Sequence, residues 1–520
     1  MTTRARTTVS ALAVLLTGGI GLAQTSYPIV DTGQIRCYDE RTEIAFPEAG
    51  EAFFGQDAHY LGRQPGYRDN GDGTITDLNT GLMWQADPGE KRTYRQAVSG
   101  ARRCRTGGYK DWRLPTIKEV YSLILFSGTD PDPRSRDTDE QTPFIDTEYF
   151  NFEYGEPDEG ERVIDAQYVT STRYVSTTMN GNATVFGVNF ADGRIKGYPM
   201  RAPRGQGDKT FCVLYVRGNK DYGENDFVDN KDGTVTDRAT GLIWMKVDSG
   251  VLEAGRNHDG KLNWEEALAW AEDLEYAGHD DWRLPSAKEL QSIVDYRRAP
   301  DKTRSASINR VFEATSITNE AGRADFGYYW SSTTHTRLHS AGSAVYIAFG
   351  RALGYMSEPP SRSNQRSRPD STSRQDSRSR PGSPQDSRDR DRQATLMDVH
   401  GAGAQRCDVK AGDPEDMQQG RGPQGDVMRI YNLVRCVRGG AVEPQTTGPA
   451  VEMEYQEDRP EEGERPEDGD RPERDGRPDD GERRQRGPGR DGPPPDRDDE
   501  GRPDGPPPRR GAPPDSDAGE

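Results

Sequence analysis

The chain's 520 residues are 31% hydrophobic and 30% charged, which excludes one large core running through all of it. A net charge of −19 argues against nucleic acid as the main partner, since phosphate contacts need a basic face. Beyond the N-terminus no run approaches eighteen consecutive apolar residues, so no transmembrane helix is predicted.

The chain opens MTTRARTTVSALAVLLTGGIGLAQ. Arg4 and Arg6 precede an apolar stretch, Ala11 to Ala23, that is too short to span a bilayer, and Gly21 and Ala23 suit signal peptidase. This predicts a signal peptide over 1–23, a mature start at Gln24, and export to the periplasm, the cell surface or the medium. A lead-in segment follows over 24–59.

Next comes a duplication. "YRDNGDGTITDLNTGLMWQ" (67–85) returns as "FVDNKDGTVTDRATGLIWM" (227–245), and "DWRLPTIKEV" (111–120) returns as "DWRLPSAKEL" (281–290). "QYVTST" (167–172) returns as "YYWSST" (328–333), and the copies close on "YVRG" (215–218) and "CVRG" (436–439). Two related domains are expected, copy one over 60–218 and copy two over 222–440.

Within each copy the Asn70-Gly71, Asp72-Gly73 and Asp232-Gly233 steps are tight-turn chemistry. "TITD" and "TVTD" alternate as strands, and "TGLMW" and "TGLIW" supply a second strand after another turn. A helix over Asn263 to Asp273 is predicted, capped by Asn263 with Glu266, and Thr93 with Gln96 offers the same capping box in copy one. "DWRLP" is extended, because the residue before a proline is pushed out of the α region. Thr116 with Glu119 and Ser286 with Glu289 then open helices through "EVYSLILF" and "ELQSIVDY", anchored by Trp112 and Trp282. The repeated decapeptide thus reads as a strand-to-helix joint. The competing reading is a catalytic Arg113/Glu119 or Arg283/Glu289 pair.

Copy two carries an Arg/Ser/Pro-rich insertion at 357–393, expected to be disordered. The tail from 441 to 520 holds 25 acidic residues against 13 arginines. It cannot bury enough apolar surface to offset chain entropy, so a disordered solvating tail or spacer is expected. The five cysteines are Cys37, Cys104, Cys212, Cys407 and Cys436, with no CxxC. In an exported chain they read as disulfide partners, Cys407 with Cys436 and Cys104 with Cys212, leaving Cys37 odd.

"DNGDGTITDLNTGLMWQ", "GGYKDWRLPTIKEVYSLI" and "VFGVNFADGRIKGY", with their second copies, resemble the Lcl C-terminal domain family of bacterial exported proteins. The stretch "YPIVDTGQIRCYDE" resembles a lead-in common in that family. The resemblance implies two tandem α+β domains related to the C-type-lectin-like and formylglycine-generating-enzyme folds. The family's namesake is an adhesin domain that binds sulfated glycosaminoglycans. The adhesin's collagen-like Gly-X-Y repeats are absent here, so its stalk and trimerisation do not carry over.

Several constellations then compete as sites. Asp69, Asp72, Asp77 and their counterparts Asp229, Asp232, Asp237 are hard oxygen ligands close in sequence, as Ca²⁺ requires, although hairpin turns alone would also place them there. "GRNHDGKLNWEE" sets Asn257, Asp259, Gly260, Leu262 and Glu266 at EF-hand spacing, with Gly255 where the first carboxylate belongs. "RLPT" followed by Glu119 resembles a motif of the formylglycine-generating enzymes, which need a close cysteine pair for copper that this sequence lacks. The histidines, His59, His258, His279, His335, His339 and His400, show no metalloprotease spacing, and no GxSxG is present. His400, between glycines, reads as a surface residue or part of a ligand-facing loop. Arg194, Lys196 and Tyr198 in "GRIKGY", with Arg351 and Tyr355 in "GRALGY", recur at equivalent places and are the best candidates for gripping a sulfated sugar; a solvated strand face is the alternative.

The expected function is therefore non-enzymatic binding outside the cell, with extracellular carbohydrate, including sulfated glycan, as the ligand, no organic cofactor, and Ca²⁺ as the one ion the residues suit. A structural envelope or matrix protein held by disulfides and Ca²⁺ is second. A formylglycine-generating-type enzyme is third.

Overall fold

A computed structural model describes residues 25–202, 207–356, 394–417 and 420–450. The predicted signal peptide, the insertion at 357–393 and the tail beyond 450 lie outside the described residues.

Each copy is built on the same four-stranded antiparallel meander. In copy one Tyr67–Asp69, Thr74–Asp77 and Leu82–Gln85 lie side by side, and the closing strand Val216–Gly218 pairs back onto Leu82–Gln85. In copy two the matching strands are Phe227–Asp229, Thr234–Asp237, Leu242–Met245 and Val437–Gly439. The two-residue alternation puts Trp84 and Trp244 fully inside. Copy one turns at Gly71, at φ 73°; at the equivalent Lys231 copy two holds a side chain at φ 66°.

All four predicted capping boxes form, at Thr93/Gln96, Thr116/Glu119, Asn263/Glu266 and Ser286/Glu289. Trp112 and Trp282 are buried just before their helices, each donating its indole N–H to a backbone carbonyl, of Thr106 and Tyr276. The extended Arg113 and Arg283 bridge to the closing strands at Val216 and Val437. The helices after the joint are shorter than expected, Ile117–Tyr121 and Ala287–Ser292. At their ends Ser122 Oγ donates to the Glu119 carbonyl at 2.7 Å and Ser292 Oγ to the Glu289 carbonyl at 2.6 Å. A serine hydroxyl that competes for helix carbonyls favours termination. Strands outnumber helices throughout, and no helix among the described residues is long and apolar enough to cross a membrane.

The two copies share one sheet. Its strand order runs Tyr328–Thr334, Ser343–Ala348, Gln405–Val409 from copy two, then Arg194–Pro199, Asn182–Asn189, Gln167–Thr178 from copy one. The junction is antiparallel, with Ile195 opposite Gln405. One cluster of buried side chains runs through both copies, including Trp84, Ile124, Trp244 and Leu290, and the described residues form a single unit. This arrangement corrects the expected equivalence of "GRIKGY" and "GRALGY". Arg194–Pro199 enters the shared sheet, whereas Leu353–Met356 leaves it to pair with Thr395–Asp398, and Gln405–Val409 takes the central place.

The decapeptide lysines cross between copies. Lys118 Nζ donates to the Ser292 carbonyl at 2.8 Å, and Lys288 Nζ donates to the Ser122 carbonyl at 2.9 Å. Lys118 also reaches the Gly223 carbonyl and Asn225 Oδ1, and Lys288 the Asp31 carbonyl. The lead-in runs along this seam, where Gln34 holds the Phe126 carbonyl of copy one and both backbone groups of Thr334 in copy two. It then packs on copy two, with Tyr60 donating to Glu272 and Asp57 accepting from Thr333. Glu443–Pro444 pairs with Tyr60–Leu61, so paired structure extends past the expected tail boundary at 441.

Burial lowers Lys288 from the usual lysine range to about 7 and Lys118 to about 8. From about pH 7 to about 10 the unfolded chain therefore holds the Lys288 proton that the folded chain has lost. Wild-type stability rises across that window. Lys288→Met leaves two carbonyls without a donor, which costs about 1–3 kcal/mol for each buried group. In urea melts the variant should be less stable than wild type at pH 9, with a gap that widens from pH 7 to pH 10.

Candidate functional site

The strongest candidate lies in copy one, where strand Arg92–Thr93 leads into helix Tyr94–Ala101. Tyr215, just before the closing strand, donates its hydroxyl to the Ala97 carbonyl at 2.7 Å and receives Arg92 Nη1 at 3.2 Å. Gly100 permits this approach, because a Cβ there would stand 2.2 Å from the Tyr215 hydroxyl. After the helix the chain turns through Arg103, Cys104 and Arg105 and returns to Thr106, which accepts from Gln85 Nε2 at 2.7 Å. Gln85, Lys91, Arg92, Arg103, Arg105 and Tyr215, with one carboxylate, Glu90, line an open cleft of about 490 Å³.

Its cations are unevenly occupied. Lys91 is held by Glu161. Arg103 donates only to Ser99 Oγ, at 3.4 Å, and Arg105 to the carbonyls of Arg102 and Cys104. Among the described residues no carboxylate pairs with Arg92, Arg103 or Arg105. Three guanidinium groups therefore face one cleft with donors to spare, the arrangement that grips sulfate or carboxylate. A larger, acidic groove of about 830 Å³ lies beyond Lys91, with Glu153, Glu156 and Glu159 on its wall.

Copy two supplies an internal control. At the 170-residue offset, Arg92, Gly100, Arg103 and Arg105 become Leu262, Trp270, Asp273 and Glu275. Leu262 is buried there and Trp270 packs on the second core. The same joint folds without the basic cluster, so the fold does not require it. The sequence signal was the contrast between "RQAVSGARRCR" and "EEALAWAEDLE", which a search for identities passes over.

The residues singled out from the sequence are placed otherwise. Arg194 is buried and grips Asp130 through two bonds of 2.9 and 2.7 Å, and Lys196 is buried against Asp192. Tyr198 is buried, with Lys209 over its ring at 4.8 Å. Arg351 is buried between Asp301 and Asp325, and only Tyr355 is part-exposed. A solvated strand face is thus corrected to an interior of ion pairs, since a buried guanidinium without a counter-charge would be too costly. The decapeptide pairs are structural too: Arg113 meets Glu119 at 2.7 Å, and Arg283 meets Glu289 through two bonds of 2.7 Å while Glu289 also caps its helix.

The six aspartates do not converge. Asp69 and Asp72 accept from the Gly71 and Thr74 amides, and Asp232 from the Thr234 amide. Asp229 is paired with Lys231 and Lys246. Asp77 and Asp237 are buried, with Asp77 holding the Asn79 and Thr80 amides and Asp237 the Asp226 and Ala239 amides. Asp259 pairs with Lys261, and Glu266 is taken by its helix cap and Arg256. Among the described residues no three His, Cys, Asp or Glu side chains converge on a metal position. His335 is buried while His339 is exposed. His400 is buried, not on the surface, and faces Asp426 at 2.8 Å; burial lowers it to about 4.

No cysteine pair is joined: all five thiols are free. Cys407 sits in the shared sheet opposite Val345, whereas the carbonyl of Cys436 accepts from the Met245 amide beside the copy-two meander. Cys104 packs on one hydrophobic cluster and Cys212 belongs to another. The strands carry each predicted pair into different layers, which sequence spacing does not register. Titration of the unreduced protein in denaturant with a thiol reagent should count five thiols; a count of one would restore both predicted disulfides.

No curated protein and no solved structure matches the chain. The Lcl C-terminal domain matches it twice, over residues 73–217 and 233–369. Both matches contain the strand that follows the repeated turn and the decapeptide joint described above, and together they cover more than half of the sequence. The chain belongs to the Lcl C-terminal domain family, with two tandem copies of the domain.

Proposed function

We propose that the protein is an exported, non-enzymatic binding protein whose copy-one cleft takes an anionic carbohydrate. Sulfate or carboxylate groups would sit on Arg92, Arg103 and Arg105, with the Tyr215 hydroxyl at the floor. The observation that carries this reading is that three arginines without carboxylate partners line a cleft whose copy-two counterpart is acidic and apolar. The overall acidity opposes an anion only at long range, since screening sets in beyond about 8 Å at physiological salt. The kinship to C-type-lectin-like folds implied by the family resemblance belongs to this proposal.

The second reading is a structural envelope protein, favoured by the amount of polar and apolar contact spent on fusing the copies. Because no disulfide is formed, that role would rest on the seam between the copies. The oxidase reading would need a close cysteine pair for copper, and the sequence offers no CxxC to supply one.

The test is retention on immobilised heparin and on its desulfated form, with calcium and with EDTA. Wild type should be retained more strongly by the sulfated form than by the desulfated one, which keeps its carboxylates, in either condition, and should elute earlier as salt rises. The double variant Arg103→Asp/Arg105→Glu carries the residues that copy two tolerates. Its retention should fall by about tenfold or more, with its melting temperature unchanged. Equal retention of variant and wild type, or no retention of either, would sink the proposal.

A further inference from the structure

Where the copies meet, five ionisable side chains converge from both of them. Cys407 lies on the copy-two strand Gln405–Val409 and is part-exposed. Arg194, from copy one, directs Nη2 at its sulfur from 3.1 Å. Asp130 fixes that guanidinium and also holds Arg337 of copy two. His335 stands close enough to act on the thiol electrostatically; its Nε2 is set on the Asp192 carbonyl at 3.0 Å and its ring is stacked on Phe144 at 5.4 Å. Arg194 and His335 are both more than nine-tenths buried, and Arg194 Nε and His335 Nδ1 have no conventional hydrogen-bond partner. Buried polar atoms left this way mark a place where a further polar group belongs.

We infer that Cys407 is a reactive thiolate, built by the docking of the two copies, that is oxidised by a hydroperoxide to the sulfenic acid. The sulfur attacks the terminal oxygen of the peroxide. An S–O bond forms as the O–O bond breaks, the sulfur gives up two electrons, and the departing alkoxide or hydroxide takes a proton from solvent. Arg194 plays two parts, stabilising the thiolate through Nη2 and offering Nε to the departing oxygen. It is a positioning residue until peroxide is bound.

The other thiols sharpen the contrast. Burial raises Cys37 to about 12 and Cys212 to about 11, and raises Cys436 as well. At Cys407 burial also raises the thiol, but Arg194 and His335 outweigh both that effect and Asp130, and it is lowered to about 5. Cys407 forms no disulfide with a second cysteine, and a sulfenic acid there is expected to live long enough to trap.

The test uses the full chain in two measurements. Hydrogen peroxide is added at pH 6 with dimedone present, and labelled peptides are quantified by mass spectrometry. Cys407 should carry the label about tenfold faster than Cys104, the other part-exposed thiol, because its thiolate fraction outweighs its lower intrinsic nucleophilicity. Labelling of Cys407 no faster than Cys104 overturns the inference, and needs no variant to be read. In the second measurement, alkylation of Cys407 by iodoacetamide from pH 4 to 9 should reach half its plateau near pH 5 in wild type. In Arg194→Lys, which keeps a charge for Asp130 but loses the fork, the midpoint should move upward. A midpoint in the ordinary thiol range in wild type, or one unmoved in a folded Arg194→Lys, contradicts the role given to the arginine.

Discussion

The structure depends on two lysine amino groups, one from each copy, that are buried in the other copy. Lys118 and Lys288 occupy the same position of the repeated decapeptide and donate across the seam to the carbonyls of Ser292 and Ser122. A buried amino group, charged or neutral, is tolerated only where acceptors meet its N–H groups, and helix ends are where carbonyls are free. The short helices follow from this. Each stops at a serine whose hydroxyl turns back on its own helix, leaving that serine's carbonyl for the partner lysine. Within a copy the decapeptide is a strand-to-helix joint, with Arg, Pro, Ser/Thr and Glu each assigned; between copies its lysine is the lock. One ten-residue sentence is therefore written twice, because the lock needs both halves.

Around that near-symmetric seam the copies have diverged, and the divergence carries the functional content. Copy two sends its "GRALGY" strand out of the shared sheet and inserts Gln405–Val409 instead. That exchange sets Cys407 against Arg194 of copy one. The lead-in spends its second half on copy two, with Tyr60 on Glu272 and Phe53 near Trp264. Copy one, free of that covering, has an open cleft where copy two places Leu262 and Trp270. Duplication supplied a scaffold stable enough for one copy to keep unpaired arginines and the other to fill the equivalent space.

Local chemistry was legible in the sequence because it is decided within a few residues. Capping boxes, Asn-Gly turns and the extended entry before Pro115 and Pro285 form as their spacing dictates. What could not be read is whatever depends on which strands lie side by side. Arg194 and Lys196 have the pattern of a solvated face, yet the copy-two strand beside them, together with Asp130 and Asp192, turns that face into an interior. The cysteines failed for the same reason: loop length says nothing about which layer receives each thiol. The cleft arginines carry no repeat signal, because the cleft lies in what the two copies do not share.

The central claim is that two family domains form one folding unit through a shared sheet and reciprocal lysines. Differential scanning calorimetry of the full chain tests it most directly. A single transition whose van't Hoff enthalpy equals its calorimetric enthalpy is the predicted result. Two transitions, or a calorimetric enthalpy about twice the van't Hoff value, would mean that the copies unfold independently and that the seam is a contact between finished domains.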